Sequence, residues 1–439
     1  MQIRNEKYWY SFSNFFKKLF RYFSEVTPTE LPYDQNVSLS FDKESNPYPT
    51  IEKTIEFDKL ISNHLTEITK WTEYKELRDN VILIGPYGDK WEDSDNFQLH
   101  NNYIPHLFRE LYDKSNKSFK LDYSILEEKY LLLENAIYEK EWIINYKSPL
   151  FNIEIETEKF DVANNLTIYK IPQEDLTTLF EISHRSPGIT PSFYSPYIKT
   201  IISSDLAKKK EDPDSTPELI RKNFVGLAAA LTLFKRFPIL HGPIYSVRKN
   251  VWTIAQGTSF SGLGPVLNFP FNSVMLLEKE YDEVIQFYDR YKNVLESSDW
   301  LKIASERLVQ YGNRKNIYDK FIDIMVLFEI LFLPHDSQEL KYKLSTRCAA
   351  FLENKANKSR DVIFRKLGLA YDIRSNIVHN GKISNNSEKK LKRLGINISD
   401  LISSIEIYLF ESFEKLIKDP DSRKNLDNFV LNIKPCLNK

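Results

Sequence analysis

The stretch YDIRSNIVHNG, residues 371–381, decides how the last third of this chain is read. It closes a long helical pattern that opens at Ser359, a good N-cap, and stops at Asn380-Gly381, the residues expected at a helix C-terminus. Within it Arg374 and His379 stand five positions apart. Five residues along an α-helix turn about 500°, or about 140° net, and rise about 7.5 Å, so the two side chains leave different faces. They converge if the last turn loosens before Gly381, or if two copies of the helix meet and each contributes to one cleft. A plainer reading stands beside this one: a histidine in a last helical turn suits the macrodipole, and Arg374 pairs with Asp372 or another carboxylate.

Spacing alone does not choose, because the chain holds a second Arg-x4-His at Arg236 and His241. There Pro238 interrupts, so no continuous helix carries both side chains, and Gly242-Pro243 follows as a turn. That pair reads as a helix exit followed by the start of a strand. The surroundings of Arg374 and His379 differ. Between Lys341 and Arg393 the acids are Glu353, Asp361, Asp372 and Glu388, against fourteen lysines and arginines. Such a local positive surface suits either a phosphate-containing ligand or a solvated helix face.

Working outward, almost every segment after about Val274 is helical: EKEYDEVIQFYDRYKNVLES, WLKIASERLVQYG, IYDKFIDIMVLFEILF, ELKYKLSTRCAAFLEN and, beyond the motif, ISDLISSIEIYLFESFEKLI. Residues 273–439 therefore read as an all-α bundle. Glu329 is the lone charge in IMVLFEILF and needs a partner if buried, with Arg347 or Arg374 as candidates. Tyr342 and Arg347 on the following helix read first as packing and helix-pairing residues, then as lining of a cleft.

The front of the chain, residues 27–272, reads as α+β. Residues 27–55 carry scattered prolines and suggest an irregular connection before a mainly helical stretch to about Ile144. FNIEIETEKF and LTIYKI alternate apolar and polar residues, as two paired strands would. A helix follows from Thr216-Pro217 to Phe237-Pro238, then a strand-rich patch, IYSVRKNVWTIAQ and PVLNFPFNSVML. AKKKEDPDSTPE reads as an exposed loop. Before all this, residues 1–26 contain SFSNFFKKLFRYF, which sets Phe12, Phe15, Phe16, Leu19, Phe20 and Phe23 on one side of a helix and Asn14, Lys17, Lys18 and Arg21 on the other. That helix suits packing on its own protein, with contact with an anionic membrane as the alternative.

At 439 residues the chain suggests two or three domains, and its formal net charge of −1 demands no nucleic-acid partner on average. Two cysteines, Cys348 and Cys436, make neither a disulfide framework nor a zinc spacing, which points to a reducing cytoplasm. No apolar run is long enough for a transmembrane segment, and Lys17, Lys18 and Arg21 interrupt any secretory signal. GTSFSGLG around Gly257 is neither a nucleophile elbow nor a phosphate loop and reads as a turn between strands; His64 and Glu67 lack the second histidine of a zinc-protease helix. No metal or cofactor is expected.

YDIRSNIVHNGK resembles the Arg-x4-6-His signature of the HEPN superfamily (higher eukaryote and prokaryote nucleotide-binding), most specifically its Apea-like branch. The order also resembles that branch: an apolar helix with a single glutamate in DIMVLFEILFLP, a tyrosine and an arginine in ELKYKLSTRCAAFLEN, then the motif. The resemblance spans roughly Ser298 to Gly381. SPLFNIEIETEKFDVANNLTIYKI and LAAALTLFKRFPILHGPIYSV are similar to the variable region that precedes such bundles.

The resemblance implies a helical bundle that forms a homodimer and unites two copies of the motif in one cleft. It implies a metal-independent endoribonuclease acting on RNA, including transfer RNA, as a toxin or anti-phage effector. His379 would then be general acid or base, and Arg374 would stabilise charge on the phosphorane-like transition state. Imidazole suits this because its ordinary pKa is near 6.5. The position after the arginine, often Asn, Asp or His in active relatives, is Ser375 here, followed by Asn376; a hydroxyl there still hydrogen-bonds a phosphate or orients His379. The front region would restrain the nuclease or sense a phage-derived or cellular trigger. The alternative is a non-catalytic RNA- or protein-binding module on the same bundle.

Overall fold

A computed structural model describes residues 2–26, 29–42, 47–85, 90–91, 97–185, 198–209, 218–253, 260–261, 273–334, 336, 338–353 and 359–431. The chain opens with α1 (Glu6–Ser24), the ribbon β1 (Tyr33–Phe41) and β2 (Pro47–Ile55), then α2 (Phe57–Ile68), α3 (Thr72–Asn80), β3 (Leu83–Ile84), β4 (Lys90–Trp91), α4 (Ile104–Lys114) and α5 (Tyr123–Tyr138). Phe12, Phe15, Phe16, Leu19, Phe20 and Phe23 of α1 are all buried, packed with residues of α2 to α5 and with Trp252. Burial of each such side chain contributes about 1.5–3 kcal/mol relative to exposure, so the aromatic face is committed to this core and is not presented to a membrane. The start of α1 is fixed by the buried Glu134 carboxylate, which accepts from the backbone N–H groups of Arg4 and Asn5 and from the Tyr130 hydroxyl.

The expected irregular connection over 27–55 is corrected here. Tyr33–Phe41 and Pro47–Ile55 pair antiparallel along their whole length, from Tyr33↔Ile55 to Phe41↔Pro47. Pro47 and Pro49 are tolerated because this two-stranded ribbon has only edges.

The middle of the chain runs β5 (Glu141–Phe151), β6 (Ile153–Ile155), β7 (Lys159–Ala163), β8 (Leu166–Lys170), α6 (Gln173–Arg185), β9 (Thr200–Lys209), α7 (Glu218–Lys235), β10 (Leu240–His241), β11 (Ile244–Arg248), β12 (Phe260–Ser261) and β13 (Val274–Leu276). The main sheet has the order β12-β11-β5-β9-β8-β7, with β10 also on β5. Of the run FNIEIETEKF expected to pair with LTIYKI, Lys159 and Phe160 do so at the start of β7, whereas Ile153–Ile155 turns away to lie parallel to β13. The expected loop AKKKEDPDSTPE begins inside β9, since Ala207–Lys209 pair with Ile143–Glu141; residues 210–217, including the expected cap at Thr216-Pro217, lie outside the described residues. Most of GTSFSGLG lies outside them too, apart from Phe260 and Ser261 in β12.

The C-terminal part is helical: α8 (Tyr281–Ser297), α9 (Asp299–Gly312), α10 (Ile317–Phe332), α11 (Leu340–Leu352), α12 (Arg360–Asn380), α13 (Asn385–Arg393), α14 (Ile398–Lys418) and α15 (Leu426–Val430). The chain is thus an α+β region followed by a helical one. Their apolar interiors merge: one core runs from Ile144, Ile168 and Ile202 of the sheet through Leu227 and Leu231 of α7 to Phe328, Ile373 and Phe413. Buried Asp323 is held between Arg307 and Arg314 at 2.9 and 2.7 Å, and Asn397 and Asp400 cap the start of α14 reciprocally. No described helix is long and apolar enough to cross a membrane.

Candidate active site on α12

Helix α12 carries the motif without interruption. The Ser359 side chain accepts from the backbone N–H of Val362, and Gly381 closes the helix in the left-handed region at φ 68°, its N–H donating to the Ile377 carbonyl. Because the last turn stays helical, Arg374 and His379 do leave different faces, as the spacing requires. His379 is exposed, and among the described residues nothing hydrogen-bonds its imidazole.

Arg374 points into the bundle. One guanidinium nitrogen lies 3.5 Å from Glu329 Oε2 on α10, both side chains about one-quarter exposed (24 % and 25 %). This resolves the open choice for Glu329: its partner is Arg374. The pairing is loose, because Arg374 Nε and Glu329 Oε1 are buried without a hydrogen-bond partner among the described residues. Burial pushes the Glu329 carboxyl above its ordinary pKa, and the Arg374 charge only partly offsets that.

Arg347 serves elsewhere. It donates to the Phe332 carbonyl at 3.0 Å, to Asp336, and through two nitrogens to Asp427 at 2.8 and 3.1 Å, joining the end of α10 to α15. This is the helix pairing expected first of Arg347; it does not pair Glu329, and every side of the guanidinium is occupied.

Asp372 is not the partner of Arg374 either. It lies two residues, about 200°, away around the helix and accepts from Lys341 of α11 at 2.6 Å and Lys390 of α13 at 3.0 Å. Burial raises its pKa, but the two ammonium groups outweigh that and hold the carboxyl below its ordinary range. Asn376 donates to the Asp372 carbonyl at 2.7 Å, and Ser375 has no side-chain hydrogen bond among the described residues. Tyr342 is 62 % exposed and stands edge-on to Phe364 at 6.2 Å, in an open groove between α11, α12 and α13.

The groove was not anticipated from sequence. Its signal is Phe364, Arg365, Gly368, Leu369 and Asp372 on one stripe of α12, but the wall from α13 has few apolar residues to mark it. The second pair behaves as Pro238 dictates: α7 ends at Lys235, Arg236 makes an exposed contact with Glu414 at 3.3 Å, and His241 sits in β10. His64 contacts the Tyr22 hydroxyl at 3.0 Å, and no group of metal-binding side chains occurs among the described residues. Cys348 is buried and Cys436 lies outside the described residues.

Taken together, the arrangement offers an exposed, unengaged imidazole, a weakly held guanidinium on the adjoining face, and a basic groove on the histidine side. Comparison with protein-family models, with curated proteins and with solved structures finds no match to this chain.

Proposed function

We propose that the chain is a metal-independent endoribonuclease of the HEPN type, working as a homodimer in which two copies of α12 share one cleft. The observation that carries this reading is the pairing of an unengaged, exposed His379 with Arg374 about 140° away on an unbroken helix. One copy cannot focus both groups on one phosphate, but two copies related by a two-fold axis present each histidine to the other helix.

In the cleavage, imidazole takes the proton from a ribose 2′-hydroxyl as its oxygen attacks the adjacent phosphorus. The bond to the 5′-oxygen breaks, and that oxygen receives a proton from the second imidazole in its protonated form. Arg374 neutralises charge on the pentacoordinate phosphorus. The products are a 2′,3′-cyclic phosphate and a 5′-hydroxyl, with no metal needed. Toxin or anti-phage action follows from the same chemistry, with the α+β region as restraint or sensor.

The Arg374–Glu329 contact favours a second reading, a binding module that keeps the bundle without cutting, because a paired arginine is less ready to meet phosphate. The test is cleavage of end-labelled total and transfer RNA in EDTA by wild type and His379→Ala at matched fold and dimer content. Cutting by wild type alone, leaving cyclic phosphate ends, supports the nuclease. Cutting by neither, with extract of phage-infected cells added as trigger, supports the binding module.

A further inference from the structure

The groove between α11, α12 and α13 encloses about 780 Å³, within the range of small-ligand sites. Its floor is apolar, formed by Leu369 and the ring pair Tyr342 and Phe364, and the 62 % exposure of Tyr342 leaves a ring face open to a ligand. Its walls carry four cations, Lys341, Arg365, Lys390 and Arg393, against two carboxylates, Glu339 and Asp372. Asp372 is already neutralised by Lys341 and Lys390. Arg365 is held only by Asp361 four residues earlier, both side chains well exposed, and Arg393 has no acidic partner among the described residues. A surface exchange of that kind yields readily to a phosphate.

An open ring beside two available guanidinium groups matches a nucleotide: a π-face for the base and charge for its phosphate. It does not match a lipid chain, which needs no cations, or an acidic peptide, which needs no ring platform. Position then names the source. His379 lies seven residues beyond Asp372, about 700° or 20° short of two full turns, and about 10.5 Å further along the axis. The groove and His379 therefore share one stripe of α12, and Arg365, fourteen residues before His379, lies about 21 Å from it along the axis, the span of about three nucleotides.

We propose that the groove holds one nucleotide of single-stranded RNA, its base against Tyr342 and Phe364 and its phosphate on Arg365 and Arg393, so that the strand leads along α12 to His379. That the nucleotide belongs to an RNA strand leading to His379 rests on the nuclease reading; that the groove takes a nucleotide does not.

The experiment is binding of the full chain to a fluorescent 2′-O-methyl octaribonucleotide, which cannot supply the attacking hydroxyl, followed by anisotropy in EDTA across a salt series. Tyr342→Ala should weaken binding about tenfold while Tyr342→Phe, which keeps the ring, stays within twofold of wild type. The double variant Arg365→Ala with Arg393→Ala should lower the salt slope by about one phosphate contact. Because these side chains are exposed, thermal unfolding of each variant should match wild type. Unchanged affinity in Tyr342→Ala overturns the proposal. So does competition by AMP as strong as that of the unlabelled oligonucleotide, which would make the ligand a free nucleotide. Binding through the groove with no cleavage of unmodified RNA sinks only the nuclease reading, and cleavage with a Tyr342→Ala variant that binds normally sinks only the groove.

Discussion

At Arg236 and His241 the helix has already ended. Arg236 takes φ 50°, Pro238 blocks continuation, and His241 pairs with Leu150 in the sheet, its Nδ1 2.9 Å from the Gly242 carbonyl. At Arg374 and His379 the helix continues past both residues to a left-handed glycine, leaving the imidazole exposed. Each pair has the same spacing and is followed within two residues by glycine, yet in the first the histidine joins the sheet while Arg236 stays exposed, and in the second the imidazole is held out while Arg374 turns into the bundle. Arg-x4-His acquires chemical meaning only from the backbone that carries it.

The largest effect expected to separate the two pairs is on RNA cleavage. On the proposed nuclease reading, Arg374→Ala should lower the single-turnover rate by about a hundredfold or more, because it would remove a charge aimed at the transition state. Arg236→Ala, which loses only an exposed contact with Glu414, should stay within about twofold of wild type. Equal losses in both variants would mean that the comparison has no catalytic content.

The glycines sharpen the contrast at the level of stability. A Cβ on Gly242 would stand 2.6 Å from Pro149 Cγ and 2.9 Å from Phe151 Cε2, so Gly242→Ala must displace the sheet and should cost about 1–3 kcal/mol. A Cβ on Gly381 meets nothing within 4 Å, and only its φ of 68° resists substitution, so Gly381→Ala should cost about 1 kcal/mol. Urea titration of both variants ranks them. A larger loss at Gly381 would show that the end of α12 is packed against something beyond this chain.

The same contrast explains what was legible in sequence. Residues 317–332 coincide with α10, and 360–380 form α12 between the cap and the glycine that the sequence marks, because strong periodicity and terminal signals agree there. The ribbon at 33–55 escaped notice because its prolines and exposed faces resemble a loop, and the end of β9 did because Lys208 and Lys209 resemble the charged segment that follows. At the site, motif position was readable, and so was the Glu329–Arg374 pair as one of two candidates, but the other partnerships were not. Arg347 depends on Asp427, 80 residues away, and Asp372 on lysines from two other helices. Nothing local in sequence announces such pairs, since each is created when helices pack.

The smallest expected effect, and the one that reaches furthest into the site, is a pair of opposed pH responses. Burial lowers the pKa of His241, with the Gly242 carbonyl acting against it, so its folded state resists protonation; its contribution to stability is complete above the ordinary histidine value and is lost as pH falls from there through the lowered folded value. Burial raises the pKa of Glu329, with Arg374 acting against it, so its contribution is complete below the ordinary glutamate value and is lost as pH rises through the raised folded value. Stability measured against pH should therefore lose its acid-side decline near the histidine range in His241→Asn, and lose its acid-side gain in Glu329→Gln. Glu329→Gln also imitates the protonated acid at neutral pH. It removes the charge opposite Arg374 while keeping the shape, so the guanidinium is freed for phosphate and RNA affinity at neutral pH should rise above that of wild type. Lower affinity in Glu329→Gln would instead mean that Glu329 holds Arg374 in the orientation phosphate needs, and that the loose pair positions the arginine rather than restraining it.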